Sequence, residues 1–430
     1  MIDATGEEAE GVATVQAIPL GPEDRAILAL ESPTVVGHTC KVLRLGGGAA
    51  GVESLRERVG ERIEHTPALM RRLQGEEAPA WVDDPELDLA RHIVSAPTDG
   101  PVDRDGLREL VAELFERHLQ RDRPLWSMDV ASLSDGDTAI VWRIHHALAD
   151  GATSMRYAST LLWDDAPELK ATPHERARVH AEDERRRIGH LAGFLTREFR
   201  PRRSPFDGAI GTRREVAFSS VSLGELHRAS QAVAKATVND AVLSVIAGSL
   251  RDWVHEHHGH LHNLRVRVPV SLHHEGEDAA NHDSYFSVGL PLYESDPAAR
   301  LRIVHQRTSE RKSARDAEHM DVLMHELSDV SPRLQQFCTR VQASPREFAL
   351  CISNVPGPRA PVRVLGAPVR TIHSIAEIGQ RHALRVSVIS LAGSLCFGFC
   401  ADPGLIDGVQ SMADGVVAQA RALIDSVQAV

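Results

Sequence analysis

The stretch TAIVWRIHHALADGATSMRYASTL, residues 138–161, constrains this chain more than any other. Thr138 to Ile144 is an apolar run with the length and branched side chains of a buried strand, and the segment after Gly151 carries apolar residues at helical spacing. Two histidines, an aspartate and a glycine occupy the junction. Side chains of a strand alternate between faces, so Ile140, Trp142, Ile144 and His146 share one face and Val141, Arg143 and His145 the other. The two imidazoles therefore cannot serve the same point. His146, read as the last strand residue, is the better placed to meet a substrate. Asp150, four residues on, can approach it, and Gly151 frees the backbone to redirect into the helix.

Neutral imidazole suits the removal of a proton from a hydroxyl that attacks a carbonyl, because its reference pKa lies near working pH. Two other readings stand beside this one. A metal site is disfavoured, since only three ligands are evident and alternation turns one of them away. Histidines held purely as structure compete on equal terms as long as the motif is taken alone.

The remainder of the chain bounds the choice. Its 430 residues exceed one ordinary core and suggest two domains or three. Sixty acidic residues against 48 basic ones create a field that repels a polyanion, so nucleic acid is not an expected partner. The N-terminal sequence lacks the pattern of a secretory signal, and no apolar run approaches bilayer length, so a cytoplasmic chain is expected. Cys40, Cys338, Cys351, Cys396 and Cys400 form no CxxC pair and fit reduced thiols. Helical spacing marks 56–73, 107–119, 298–315, 320–337 and 408–424; strands are expected at 264–271, 284–292, 348–353, 384–391 and 394–400. Ser222 with Glu225, and Thr237 with Asp240, open two helices of the second half. Composition divides the chain into 1–165, an Arg/His-rich linker at 166–213, and 214–430. Each half mixes strands and helices in α+β fashion, and a cleft is expected between them.

HHALADG matches the HHxxxDG signature of acyltransferases related to chloramphenicol acetyltransferase and of peptide-synthetase condensation domains. Further blocks, in order, narrow the likeness. Pro124-Leu125-Trp126 resembles a PLW motif, Asn239-Asp240 an ND motif, and RVPVSL (267–272) and SNVPGP (353–358) two further blocks. GPEDRAILALES resembles the usual entry segment. From about Gly21 to the last helix the chain thus resembles the bacterial wax ester synthase/diacylglycerol acyltransferase family. The resemblance implies two chloramphenicol acetyltransferase-like domains, each a mixed sheet with flanking helices, and a substrate tunnel between them. It implies transfer of a long-chain acyl group from acyl-CoA, a co-substrate, to diacylglycerol or a long-chain alcohol, with no cofactor and no metal. His146 would be the base, and Asp150 a scaffold residue held through an arginine that the sequence does not identify. Apolar substrates imply a peripheral place on a membrane or lipid droplet.

The flanking motifs also have plain readings. Pro124, Leu125 and Trp126 line an acyl channel or belong to the core, the latter favoured. Asp240 reads as a capping carboxylate and Asn239 as a first-turn residue beside it. Asn354 to Pro358 reads as a turn that contacts substrate or crosses between lobes. HEHHGHLH, 255–262, reads as a solvated helix end closing at Gly259. The pattern is broken by His273 and Ala280, and by Leu391, where an aromatic residue is usual; these positions bear on acceptor and chain length. Two rival functions are a condensation enzyme fed by a carrier protein and a non-catalytic lipid-binding or droplet protein.

Overall fold

A computed structural model of the chain describes residues 17–47, 51–75, 78–165, 204–271, 283–313 and 348–428. Along the first half run α1 (Pro22–Ala29), β1 (His38–Leu45), α2 (Val52–Gly60), β2 (Ile93–Ser95), α3 (Arg104–Phe115), β3 (Trp126–Ser132), β4 (Thr138–His145) and α4 (Gly151–Leu161). The second half supplies β5 (Glu215–Ser222), α5 (Leu223–Ala234), α6 (Val238–His258), β6 (Asn263–Ser271), β7 (Asp283–Pro291), α7 (Pro297–Ser313) and β8 (Leu350–Val355). It continues with β9 (Arg363–Val364), β10 (Ala367–Ala376), β11 (Leu384–Leu391), β12 (Ser394–Ala401) and α8 (Val409–Gln428). Two six-stranded mixed sheets result, ordered β9-β10-β1-β4-β3-β2 and β7-β6-β8-β11-β12-β5. The fold is α+β and two-lobed.

The division by composition does not follow space. β9 and β10 come from the second half yet pair into the first sheet, with Ser374 opposite Lys41 and Thr371 opposite Arg44. Asp164, at the end of the first half, locks this crossing. Its two carboxylate oxygens accept the Leu365 and Gly366 amides at 2.9 and 2.7 Å in the β9–β10 turn, while Arg58 donates to it at 2.7 Å. Phe206, placed by composition in the linker, is fully buried and stacks on Trp253 in the second core.

β4 is buried at all eight positions because it lies inside its sheet with both faces covered. Ile140, Trp142 and Ile144 enter one core and Ala139 and Val141 another, so the alternation is physical. α6 starts with a capping box between Thr237 and Asp240 and stops at Gly259 with φ +79°. The expected helix over 56–73 is cut short. α2 ends at Gly60, and Pro67, which removes a backbone donor, is followed by a strand at Arg71–Gln74. β5 had no expectation at all. The expected helix over 320–337, most of the linker, and positions His273, Ala280 and Asn281 lie outside the described residues. Among the described residues no single helix is long and apolar enough to cross a membrane. α5 and α6 pass that test as a pair but bend by 95° between them.

The two sheets touch where Gly398 of β12 meets Ser374 of β10. A Cβ on Gly398 would fall 2.1 Å from the Ser374 carbonyl oxygen. Gly398→Ala should therefore force the sheets apart and lower the urea midpoint by about 1–3 kcal/mol of stability. An unchanged midpoint in equilibrium unfolding would contradict the contact.

Candidate functional site

The histidine signature sits at the C-terminal end of β4, where three backbone hydrogen bonds hold the chain as it turns. The His145 amide donates to the Leu125 carbonyl at 2.9 Å, the His146 amide to Gly37 at 2.9 Å, and the Leu148 amide to His145 at 2.9 Å. The strand ends at His145, one residue earlier than the sequence suggests, and His146 opens the turn. This turn sends the adjacent imidazoles to different surroundings.

His145 is buried. Its Nδ1 accepts the Ala147 amide at 3.1 Å, which leaves the proton on Nε2, and Nε2 lies 2.5 Å from Glu31 Oε1. Glu31 is held in turn by Arg121 at 2.6 Å. His146 keeps some accessibility within a segment, 141–150, whose other residues are all buried. Enclosure pushes its pKa down to about 4; the Arg385 guanidinium acts in the same direction, while Asp150 and a hydrogen bond to its own backbone oppose it. The ring is therefore neutral at physiological pH. Nδ1 is sealed from solvent.

Asp150 is the N-cap of α4, and its carboxylate accepts the Thr153 amide at 2.6 Å. Beside it stands Lys41 of β1, an almost fully buried lysine whose Nζ donates to Ser374 Oγ at 2.7 Å. Burial lowers its pKa to about 8; the Cys40 thiol and Asp150 pull it back up, and Arg385 pushes it further down. His146, Asp150, Lys41 and Arg385 thus form one electrostatic cluster, drawn from the turn after β4, the N-cap of α4, β1 and β11.

Gly151 is not needed for an unusual backbone angle, since it is absent from the left-handed residues. It is needed for space. A Cβ there would fall 2.8 Å from Val355 Cγ2 of β8, so this glycine lets the start of α4 rest against the opposite lobe. Asn354, expected in a turn, lies with Val355 in β8, where its backbone faces Val388 of β11. Its side chain reaches Asn239 Oδ1 at 3.5 Å, so these two candidates meet across the second lobe, one residue from the Gly151 contact. Asp240 turns elsewhere: it closes the capping box and accepts from His305 and Thr308 of α7 at 2.8 and 2.6 Å. Pro124, Leu125 and Trp126 are buried. Trp126 donates to the Leu69 carbonyl at 2.8 Å and stacks on His92, which makes it a core residue on the strand paired with the histidine strand. Leu391, the replacement for an aromatic residue, is packed at the lobe contact with Ile389. Among the described residues no three His, Cys, Asp or Glu side chains converge to hold a metal ion.

Glu31, Gly37, Lys41, Ser374 and Arg385 escaped sequence reasoning. Only Lys41 left a signal: the chain has four lysines, and this one interrupts an apolar run.

The wax ester synthase/diacylglycerol acyltransferase catalytic domain matches residues 20–195, and the C-terminal domain of the same family matches 279–423. A Mycobacterium tuberculosis protein named diacylglycerol O-acyltransferase tgs2 is 30% identical over 74% of this chain and 78% of its own length. The chain belongs to the wax ester synthase/diacylglycerol acyltransferase family. The wax ester synthase/diacylglycerol acyltransferase of Marinobacter aquaeolei VT8 shares the fold, with a TM-score of 0.71, 23% identity, and coverage of 96% of this chain and 100% of that one. The first condensation domain of the calcium-dependent antibiotic synthetase also shares it, with a TM-score of 0.63, 17% identity and 96% coverage of both chains. Within this family member, Gly151 and Val355 offer a direct check of lobe contact. Gly151→Ala should lower the melting temperature, and adding Val355→Ala should recover most of the loss. Additive losses in that double-mutant cycle would place the two residues out of contact.

Proposed function

We propose that this acyltransferase carries a long-chain acyl group from acyl-CoA to the free hydroxyl of diacylglycerol, forming triacylglycerol, with long-chain alcohols as second acceptors. The observation that carries the reading is His146: a neutral imidazole on the one partly accessible residue of an otherwise buried segment, beside the Gly151–Val355 contact between the lobes. With Nδ1 sealed, Nε2 is the nitrogen available to a hydroxyl. It takes the hydroxyl proton as the oxygen attacks the thioester carbonyl. The tetrahedral oxyanion collapses, the C–S bond breaks, and the proton passes to the departing CoA thiolate. No acyl-enzyme, cofactor or metal is required by this sequence of steps.

A general base contributes about a hundred- to ten-thousandfold. The rest of the acceleration comes from holding two substrates in register. Their apolar tails place the enzyme at a membrane or lipid-droplet surface.

Radiolabelled palmitoyl-CoA incubated with diolein or hexadecanol and separated by thin-layer chromatography tests activity and acceptor together. His146→Ala should lose product by about a hundredfold or more, while retaining the wild-type circular dichroism spectrum. Equal turnover by this variant and the wild type would refute the assignment. A requirement for a carrier-protein thioester would favour condensation chemistry, and inertness toward a broad panel would favour a lipid-binding role.

The pH profile is a second check. A pKa depressed to about 4 keeps the base form populated well below the ordinary 6.5 of histidine. The turnover number should stay level from neutral pH down through 5.5 and fall only as pH approaches 4. An acid limb near 6.5 would show that the ring is not enclosed as described.

A further inference from the structure

We infer that Glu31 is a positioning residue for the acyl transfer: with the backbone of Gly37 it fixes the His145–His146 step and so aims the His146 ring. The inference rests on the role proposed for His146.

Both histidines are held from one short turn that precedes β1. Glu31 Oε1 receives the Nε2 proton of His145 at 2.5 Å, and its other oxygen receives Arg121 at 2.6 Å. Burial raises the Glu31 pKa, but His145 and Arg121 more than offset it and leave it low, so the carboxylate is ionised. The bond to His145 is thus charge-assisted and partly buried, and charge-assisted bonds are the stronger ones. Six residues on, the Gly37 carbonyl accepts the His146 amide at 2.9 Å. Gly37 has φ +73°, and a Cβ on it would fall 2.6 Å from His145 Nε2 and 2.9 Å from Glu31 Cγ. The glycine backbone therefore lies directly against the Glu31–His145 contact, and a side chain there would break it.

The turn itself is anchored. Ser32 and Val35 exchange backbone hydrogen bonds at 3.0 and 3.1 Å. The Val36 amide donates to Glu377 at 2.9 Å, Arg214 pairs with Glu377 at 3.1 Å, and Arg214 also donates to the Thr34 carbonyl. Residues 214 and 377 both come from the second half of the chain. Glu377 directly follows β10 of the first sheet and Arg214 directly precedes β5 of the second, so the clamp on the histidines is tied to both sheets. Because rate depends steeply on sub-ångström placement of a base, loosening the clamp should act on turnover rather than on substrate affinity.

The test uses the full chain with palmitoyl-CoA and the acceptor found above. Glu31→Leu should lower kcat by roughly a hundredfold while both KM values stay within about twofold. Glu31→Gln, which still offers His145 a carbonyl acceptor, should regain about tenfold of that loss. Unchanged kcat in Glu31→Leu, a loss carried by KM, or equal impairment in both variants would overturn the inference. If Glu31→Leu does not fold, Arg121→Met takes its place. Arg121 is half exposed, so its removal spares the core and should lower kcat by up to about fivefold; no change would again overturn the inference. His146→Ala separates the two levels. An inactive His146→Ala beside a fully active Glu31→Leu sinks only the clamp, whereas an active His146→Ala sinks the reading beneath it.

Discussion

The antiparallel pairing of β10 with β1 is the constraint on which the site depends. It carries a segment from the second half of the chain into the first sheet, and it sets Ser374 beside Lys41. The same strand then brings Ser374 against Gly398 of the second sheet, close enough that a methyl group would not fit. One strand thus belongs to one lobe by hydrogen bonds and touches the other by packing. A segment flanked on both sides by strands of the second sheet is thereby held in the first. Residues as far apart in sequence as Lys41, His146 and Arg385 keep a fixed relation as a result. A reaction that joins two bound substrates needs that rigidity, because the gain from orientation vanishes when the walls of the site move independently.

Much of the fold was legible because local physics decided it. The run from Thr138 to Ile144 could only be a covered strand, and the Thr237–Asp240 pair marked a helix start that the structure reproduces atom for atom as a capping box. Gly259 likewise ends its helix where a helix end was expected. What escaped was non-local. Nothing in residues 363–376 says that they cross to another sheet, since a strand's sequence records its burial and not its partner. Glu31 is 114 residues from the histidine it holds, and no spacing rule spans that gap. The reading of 56–73 failed because helical periodicity was followed past Gly60, where α2 ends, through a separate short turn that opens at Pro67 and into a strand.

Within the signature, residue identity was easier to read than residue role. Gly151 was taken for a hinge, yet its backbone is ordinary and its missing side chain makes room for Val355. Asn354 was taken for a turn residue, yet it ends a central strand and faces Asn239. In both cases the demand came from the opposite lobe. A motif records which side chains are tolerated; the reason belongs to the neighbour across the cleft.

The charges around His146 show how the enclosure serves the proposed chemistry. A carboxylate alone beside an enclosed imidazole would raise its pKa and favour the protonated, inert form. Here Asp150 is engaged by the Thr153 amide and shares its surroundings with the Lys41 ammonium, while Arg385 adds positive charge that also lowers the pKa of His146. The balance keeps the ring neutral, at the cost of intrinsic basicity. That loss is offset if the same positive charges act where the thioester oxygen and the leaving thiolate gain negative charge, because fixed charges in an enclosed site need no rearrangement at the moment of reaction. A weak base in a positive, closed site is consistent with a reaction whose charge develops on the substrates more than on the enzyme.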